Sequence, residues 1–449
     1  MAELIDQLKN GNLALVLSGG GARGGYQIGI WEALRELEIS IEVVTGISVG
    51  ALNGAFVVQD DFKKAKEMWE SIQTSDILDY QTSNDLTTLS GYAKNLSYLI
   101  YKAIKEGGIS SKPMEELIDF YLADEEKFTY IETVFGVVVT NSSTFKEESY
   151  FLNHLSRNEI KNLLLASASL YPIMERTMID EKLYADGGYR NHIPIELARE
   201  KNPDVIIATD LMPEINRTYK SEQNVIMIQP KWYLGDMMTF DAQRNRYNIL
   251  MGYNDLMKAV GKFYGYLYSF SDPGASLKQD LMDEFDKKDN FSKEMSNILK
   301  NNLYFLKKKL SKEWGNHVNK DNYHIALLEI TARIFFIQPS EVQSVENFTN
   351  LLLQRLGNAY SLDKNDALND FLPDYFMGRR EWRLFFSMKL SLLPEQERIF
   401  YFLGQFNKNK DKQSSITNKI LFKIDPIPFT VALFIYLLVK NDNKLTHSI

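Results

Sequence analysis

The sequence predicts an α/β fold with a mostly parallel sheet in its first half and a mainly α-helical domain in its second half. Up to about residue 230, short apolar runs alternate with amphipathic stretches, as strands and helices do in parallel sheets. After about Trp232 strand-like runs nearly disappear, and long helical patterns rich in Lys, Asn, Phe, Tyr and Leu replace them. At 449 residues the chain is too long for one core, and we predict domains over residues 1–232 and 233–449.

Five short apolar runs are the candidate strands of the sheet: Leu13–Leu17, Ile41–Val44, Thr133–Thr140, Val205–Thr209 and Val225–Gln229. Stretches with apolar residues at helical spacing lie between them: Tyr26–Leu37, Val49–Val58, Phe62–Ile72 and Asn158–Ala168. The polar interval Ser75–Gly108 interrupts this alternation, and we interpret it as an insertion or a lid.

The composition excludes several classes of function. The chain has no cysteine, which excludes disulfides, thiolate metal sites and cysteine nucleophiles. Its five histidines include only the loosely spaced pair His317 and His324, and no acidic loop has EF-hand spacing, so we expect no metal and no cofactor. A net charge of −8 argues against nucleic acid as a partner. The oligomeric state is left open.

The two ends of the chain bear on its location. The first residues, MAELIDQLKNGN, lack the basic start and apolar segment of a Sec-type signal peptide, so we expect a cytoplasmic protein. Asn407–Lys423 carries five lysines and precedes the apolar run Phe429–Val439. Eleven helical residues span about 16 Å, well short of the ~30 Å hydrocarbon core. The run is therefore either a buried terminal helix or an interfacial anchor for peripheral membrane association.

A serine between two glycines follows the second candidate strand, in Gly46-Ile47-Ser48-Val49-Gly50. This pattern is typical of a nucleophile elbow, a sharp strand-to-helix turn that exposes a serine hydroxyl. The glycines at 46 and 50 support such a turn, because a side chain there would collide as the chain reverses. Ser48 is the candidate nucleophile, and it needs a base to accept its proton.

A glycine-rich loop follows the first candidate strand: Gly19-Gly20-Gly21-Ala22-Arg23-Gly24. The spacing of its glycines, with Glu42 downstream, fits a dinucleotide-binding fingerprint. Consecutive glycines equally leave backbone N–H groups free to bind an oxyanion. Because an elbow follows the next strand, we favour the oxyanion hole. Arg23 then steadies this loop, binds a substrate phosphate, or caps the loop at the surface.

The base for Ser48 is harder to identify. An α/β-hydrolase needs an acid and then a histidine downstream of the serine, but the later histidines stand in polar contexts without a distinguishing pattern. Asp186 follows a short strand-like run and is followed by Gly187 and Gly188, which allow close approach to another backbone. An Asp-Gly hairpin turn is the alternative interpretation.

Taken in order, GGGARG (19–24), GISVG (46–50) and DGG (186–188) resemble the patatin-like phospholipase family, as does ASASLYP (Ala166–Pro172). The resemblance covers roughly residues 10–230. It implies a three-layer α/β/α fold and a Ser–Asp dyad, with Ser48 as nucleophile and Asp186 as general base. It also implies an oxyanion hole formed by the backbone of Gly19–Gly21 and shaped by Ala22–Gly24.

One position departs from the family, which often has asparagine where this chain has His192. His192 either assists the base or is a satisfied surface or loop histidine.

The resemblance implies a lipid acyl hydrolase of the phospholipase A type that works through an acyl-enzyme on phospholipid or another acyl lipid. The alternatives are a non-lipid esterase or thioesterase, a dinucleotide-binding oxidoreductase, and a catalytically silent scaffold. Candidate lipid contacts are Ser75–Gly108, the aromatic segment Gly261–Phe270 and the basic, apolar C-terminal segment.

Overall fold

The computed structural model describes residues 2–77, 97, 101, 103, 105, 108–122, 132–213, 224–287, 289–362, 387–388, 390–408 and 415–441. Most of the predicted insertion Ser75–Gly108, and the middle of the lysine-rich segment Asn407–Lys423, lie outside these residues. The chain divides into two compact units, Met1–Lys262 and Phe263–Ile449. Residues 233–262, which we assigned to the helical domain from the sequence, lie in the first unit.

An eight-stranded mixed sheet forms the centre of the first unit. Its strands are β1 Leu13–Leu17, β2 Val43–Gly46, β3 Val134–Asn141, β4 Lys146–Phe151, β5 Thr177–Ile179, β6 Lys182–Asp186, β7 Val205–Thr209 and β8 Val225–Ile228. Their order is β5-β6-β3-β2-β1-β7-β8, and β4 also pairs with β3. Strands β3, β2, β1, β7 and β8 are parallel neighbours, whereas β4, β5 and β6 pair antiparallel. The predicted, mostly parallel sheet is confirmed.

The described helices of the first unit are α1 Ala2–Asn10, α2 Gly25–Glu36, α3 Val49–Val58, α4 Phe62–Ser71, α5 Lys112–Tyr121, α6 Arg157–Ala168, α7 Ile195–Arg199 and α8 Ala242–Ala259. Every residue of β1 and β7 is buried. Since successive side chains of a strand point to opposite faces, both faces of the sheet are covered. On one face Ala14, Val16 and Ile206 pack with Ile193 and Ala198. The result is the expected three-layer α/β/α arrangement.

Helices α2 and α8 pack backbone against backbone. A Cβ atom at Gly252 would lie 1.8 Å from the Tyr26 carbonyl oxygen, and one at Gly29 would lie 1.8 Å from the Ile249 carbonyl oxygen. The Tyr26 hydroxyl also donates a 2.6 Å hydrogen bond to Asp255 of α8. Helix α8 is thus an integral part of the first unit.

The strand register brings the three predicted motifs together near the carboxyl ends of β1 and β2. Leu17 at the end of β1 pairs with Gly46 at the end of β2, so the glycine-rich loop and Ser48 follow neighbouring strand ends. Gly46 pairs in turn with Val137 of β3, and Val139 pairs with Asp186 of β6. Residues far apart in the sequence therefore meet because of the register.

The described elements of the second unit are helices: α9 Ala275–Asp286, α10 Asn290–Asn301, α11 Leu303–Trp314, α12 Tyr323–Ile334, α13 Val345–Leu362, α14 Glu395–Lys408, α15 Ser415–Ile424 and α16 Pro426–Asn441. Helix α16 contacts α9, α11, α12, α14 and α15. Its apolar run, from Phe429 to Leu438, is buried. The interpretation as a buried terminal helix is confirmed. Among the described residues, no helix has the length and apolar character needed to cross a bilayer.

The aromatic segment is part of the core of the second unit. Tyr268 and Phe270 are buried, and the buried Glu329 accepts hydrogen bonds of 2.9–3.0 Å from the N–H groups of residues 266, 267 and 268. Burial raises the pKa of Glu329, and these hydrogen bonds partly offset that rise. The described contacts of Tyr264–Phe270 are thus structural, and the expected lipid contact is not needed to explain its aromatic residues.

We predict that Gly252→Ala destabilises the first unit by about 1–3 kcal/mol, because the new methyl group would overlap the backbone of α2. Gly404→Ala is the matched control, since Gly404 is also helical and nothing lies within 4 Å of the added methyl group. The control should be neutral or slightly stabilising. Thermal unfolding of both variants measures the difference, and equal melting temperatures would contradict the tight packing of α2 on α8.

Candidate active site

Ser48 lies at a sharp turn between β2 and α3. Its backbone has φ 53° and ψ −127°, a combination that residues other than glycine rarely adopt. A Cβ atom at Gly50 would lie 2.2 Å from the Leu17 carbonyl oxygen, and one at Gly46 would lie 2.4 Å from the Gly50 carbonyl oxygen. The turn therefore requires both glycines, as a nucleophile elbow does.

The end of α6 and the residue that follows it hold both sides of the site. The Ser48 N–H donates a 3.0 Å hydrogen bond to the Ser167 hydroxyl, which donates a 2.7 Å hydrogen bond to the Val138 carbonyl oxygen of β3. Two residues later, the Ser169 carbonyl oxygen accepts a 2.9 Å hydrogen bond from the Asp186 N–H. From the sequence we singled out this segment only by resemblance, and its positioning role was not recognised.

Asp186 ends β6, and the nearby Ser48 hydroxyl acts as a hydrogen-bonding partner that lowers the pKa of its carboxyl group. Its Oδ1 also accepts a 2.7 Å hydrogen bond from the Gly188 N–H. Burial raises the pKa of Asp186 from 3.8 to about 6, and the two hydrogen bonds partly offset the rise. The side chain is then a stronger base than an ordinary aspartate and is still mostly ionised at neutral pH. A 3-10 turn, Gly187–Tyr189, follows Asp186, so the hairpin alternative is wrong.

The glycine-rich loop lies beside Ser48, because a Cβ atom at Gly19 would be 3.5 Å from the Ser48 Cβ. Its N–H groups differ in their partners. The N–H groups of Gly19 and Ala22 donate to the carbonyl oxygens of His192 and Met237, at 3.4 and 2.9 Å. Those of Arg23 and Gly24 donate within the loop, to the carbonyl oxygens of Gly20 and Gly21, at 3.3 and 3.2 Å. In the described part of the chain, the N–H groups of Gly20, Gly21 and Val49 have no acceptor. These three donors are available to an oxyanion.

Arg23 is buried and steadies the loop from behind. Its Nε donates to the Gly235 carbonyl oxygen and its Nη1 to the Leu211 carbonyl oxygen, both at 2.9 Å. Of the three roles considered for Arg23, steadying the glycine-rich loop fits this geometry. A surface cap is wrong because the side chain is buried, and a substrate phosphate is not contacted through the cavity described below.

His192 is a loop residue but not a surface one, since only 6% of its area is exposed. Its Nε2 lies 3.5 Å from Oδ1 of the buried Asp210, whose carboxylate accepts hydrogen bonds from the Met212 N–H and the Gln229 amide. The ring also lines the cavity beside Ser48. Of the two placements expected for His192, the loop is correct and the surface is wrong, because burial could not be inferred from its polar sequence context.

Glu42 lies at the opposite end of the sheet from the glycine-rich loop. It precedes β2, and its carboxylate accepts a 2.8 Å hydrogen bond from the N–H of Leu13, the first residue of β1. A ribose-binding acid must lie at the same end as the glycine-rich loop. This geometry disfavours the dinucleotide alternative.

A cavity of about 210 Å³ opens above Ser48 and Asp186, and its walls are mostly apolar. Helices α3, α4, α5 and α6 contribute part of the walls, and most of the other lining residues come from loops and turns, including the glycine-rich loop and segment 237–240. Six methionines line it: Met68, Met114, Met174, Met212, Met237 and Met238. The described lining contains no Lys or Arg. Among the residues that the structure describes, no group of three His, Asp or Glu side chains could hold a metal ion.

Comparison with known proteins shows which family this region resembles. Residues 15–199 match the model of the patatin-like phospholipase family, which confirms the resemblance over that range. Patatin-like phospholipase domain-containing protein 7 of Rattus norvegicus is 27% identical over 199 residues, 44% of this chain and 13% of that protein. Lysophospholipase nte1 of Aspergillus terreus is 26% identical over 242 residues, 53% of this chain and 14% of that protein. The matches thus span a small part of both relatives.

Among solved structures, VipD from Legionella pneumophila aligns over 94% of this chain and 91% of its own, with 14% identity and a TM-score of 0.37.

We predict that Ser167→Ala slows the reaction of Ser48 with a fluorophosphonate probe at least tenfold. The substitution leaves the Ser48 N–H and the Val138 carbonyl oxygen without their partner, which costs about 1–3 kcal/mol. Ser169→Ala is the matched control, because that buried hydroxyl contacts Leu165 and Thr177 rather than the elbow. Equal labelling rates in the two variants would contradict a positioning role for Ser167.

We predict a pH-dependent difference in stability between the wild type and Asp186→Asn. The pKa of Asp186 is raised from 3.8 to about 6, so the folded state binds more protons between these pH values. Wild-type stability should fall, relative to the variant, by up to about 3 kcal/mol as pH rises from 4 to 7. Urea unfolding at several pH values tests this. Asp280→Asn removes an exposed carboxylate as a control, and the same pH trend there would argue against Asp186 as the cause.

Proposed function

We propose that this chain, whose residues 15–199 match the patatin-like phospholipase family, is a lipid acyl hydrolase of the phospholipase A type. In this proposal Ser48 is the nucleophile and Asp186 is the general base. The observation that carries the proposal is the placement of the Ser48 hydroxyl beside the buried Asp186 carboxylate, in an apolar cavity that both residues line. A nucleophile, a base and a site for an acyl chain thus occur together.

In the first step, Ser48 Oγ attacks the ester carbonyl carbon while the Asp186 carboxylate accepts the hydroxyl proton. The carbonyl oxygen becomes an oxyanion, and the free N–H groups of Gly20, Gly21 and Val49 are the donors available to stabilise it. The tetrahedral intermediate then collapses: the bond to the alcohol oxygen breaks, and protonated Asp186 returns the proton to the leaving alcohol. The product of this step is an acyl-enzyme on Ser48.

In the second step, water attacks the acyl-enzyme and Asp186 accepts a proton from it. The second tetrahedral intermediate releases Ser48 Oγ, which regains its proton from Asp186, and the fatty acid leaves. One carboxylate serves both steps because its pKa of about 6 allows it to gain and lose a proton near neutral pH. A histidine is not required, although His192 lines the same cavity.

The cavity favours an acyl chain over a small ester. Apolar walls stabilise a hydrocarbon chain by burying its surface, at about 0.8 kcal/mol per CH₂ group. Methionine side chains are flexible and adapt to chains of different shape. Without Lys or Arg in its described lining, the cavity lacks a charged partner for a phosphate head group. Recognition in this proposal therefore depends on the acyl chain.

We predict that a fluorophosphonate probe labels the wild type and Ser71→Ala, a serine on an exposed helix face, but not Ser48→Ala. Asp186→Asn should lower the labelling rate by about 10²–10⁴-fold, the usual contribution of a general base. The wild-type rate should rise with pH through about 6, the pKa of Asp186, and this inflection should be lost in Asp186→Asn. Labelling of Ser48→Ala at the wild-type rate would refute the nucleophile.

The substrate class is tested with the same proteins. The wild type should hydrolyse a 16-carbon lysophospholipid with a higher kcat/KM than a soluble acetate ester. Leu117→Trp narrows the cavity from α5 and should slow the long ester but not the acetate. Phe120→Trp, on the exposed side of the same helix, is the matched control. A preference for acetate in the wild type would instead support the non-lipid esterase.

A further inference from the structure

A second cavity, of about 280 Å³, lies within the helical unit. Helices α9, α10, α11, α12 and α16 and the segment 318–320 line it. Its deepest residues are buried and almost all apolar: Leu281, Leu306, Leu310, Val318, Leu327, Thr430, Leu433, Phe434 and Leu437. None of these residues belongs to the site described above.

Apart from the buried Thr430, the polar residues of the lining lie at its more exposed end, and their side chains are mostly hydrogen-bond donors. Lys320 is exposed, and Lys307, Asn319 and Tyr323 are half-buried. The described lining includes no Asp or Glu. Within the described residues, Lys307 and Lys320 also form no ion pair with an acidic side chain elsewhere. The walls of the cavity are apolar almost throughout, so Lys307 and Lys320 line it with their aliphatic stems, and their ammonium groups lie toward solvent at its mouth. We call these two residues the lysine rim.

An apolar cavity of this size, only partly open to solvent, is unusual for a packed helical unit. Protein interiors are close-packed, with few holes larger than a water molecule. An apolar hole does not hold ordered water, and its lining residues lose contacts on the empty side. The size is close to the lower end of ligand pockets, about 300 Å³. An apolar ligand would restore the missing contacts.

We propose that the second unit binds one acyl chain with an anionic head group, such as a fatty acid or a monoacyl phospholipid. The chain lies in the cavity, and the carboxylate or phosphate pairs with Lys307 and Lys320. A single chain suits the volume better than the two chains of a diacyl lipid. Leu303 is 50% exposed at the start of α11 and lines the cavity, so it marks an apolar entrance. This site does not depend on hydrolysis at Ser48.

The test is photolabelling of the full chain with a diazirine analogue of palmitic acid, followed by peptide mapping. We expect adducts in peptides that contain residues 281–327 and 430–437, whether or not the first cavity is also labelled. Lys307→Glu combined with Lys320→Glu should lower the yield in these peptides at least tenfold. Lys308→Glu combined with Lys312→Glu, exposed on the same helix and absent from the lining, should leave it unchanged.

A second variant tests the interior of the cavity. Leu433→Trp fills it and should also abolish labelling of these peptides, provided that circular dichroism and melting match the wild type. If Leu433→Trp does not fold, the two double lysine variants still test the proposal. Their substitutions are at half-buried or exposed positions, so we expect both variants to fold. Adducts confined to the first unit, or equal yields in the two double variants, would overturn the proposal.

Competition identifies the head group. Unlabelled palmitate, lysophosphatidate and hexadecanol share a long chain and differ in charge. Palmitate or lysophosphatidate should suppress labelling of the second unit at a concentration at least tenfold lower than hexadecanol. The compound that suppresses labelling at the lower concentration shows whether the site prefers a carboxylate or a phosphate head group. Equal suppression by hexadecanol would overturn the role of the lysine rim.

Discussion

The first unit is organised around a carboxylate buried next to a serine hydroxyl. Placing an ionisable group in an apolar environment is costly unless polar neighbours stabilise its charge. Among the described residues Asp186 has no cationic partner, and its carboxylate relies on the Ser48 hydroxyl and the Gly188 N–H. Because hydrogen bonds depend strongly on distance and angle, the backbone at both donors must be held in place. Much of the surrounding structure meets this requirement.

The supporting contacts come from segments far apart in the sequence. Ser167 fixes the elbow to β3, while the Leu211 and Gly235 carbonyl oxygens bind Arg23 behind the glycine-rich loop. The Met237 carbonyl oxygen accepts the Ala22 N–H of that loop. Several of these groups lie beyond residue 199, where the family match ends. The geometry of the glycine-rich loop therefore depends on the chain up to α8 as well as on the matched region.

The sequence was most informative where local pattern and burial coincide. Strands β1 and β7 and helix α3 occur within their predicted bounds, because fully buried strands are continuously apolar and the elbow requires glycines at fixed spacing. Strand β4 was missed because KEESYF begins with three consecutive charged residues and shows no alternation of apolar and polar positions on this half-exposed strand. The antiparallel strand β5 is only three residues long, which is too short for a clear pattern, whereas β6 is the short strand-like run recognised before Asp186.

Tertiary contacts could not be predicted in the same way. The acceptors of Arg23 lie 188 and 212 residues away, so nothing near Arg23 in the sequence indicates burial. The burial of His192 beside Asp210 is likewise not indicated by the residues that flank it. An amphipathic helix such as α8 shows which face it buries but not which unit it packs on. The close approach of Gly252 to α2 decides that, and it depends on both backbones.

The two proposed lipid sites differ in charge in a way that suits the two forms of a fatty acyl group. The first cavity has the Asp186 carboxylate and no Lys or Arg in its described lining, so it accommodates a neutral ester better than an ionised fatty acid. After hydrolysis, the product carboxylate would lie near ionised Asp186, and repulsion between the two would favour its release. The second cavity has lysines at its rim and no carboxylate in its described lining, which suits the anionic product. Hydrolysis would thus change which cavity an acyl chain prefers, because it converts a neutral group into a charged one.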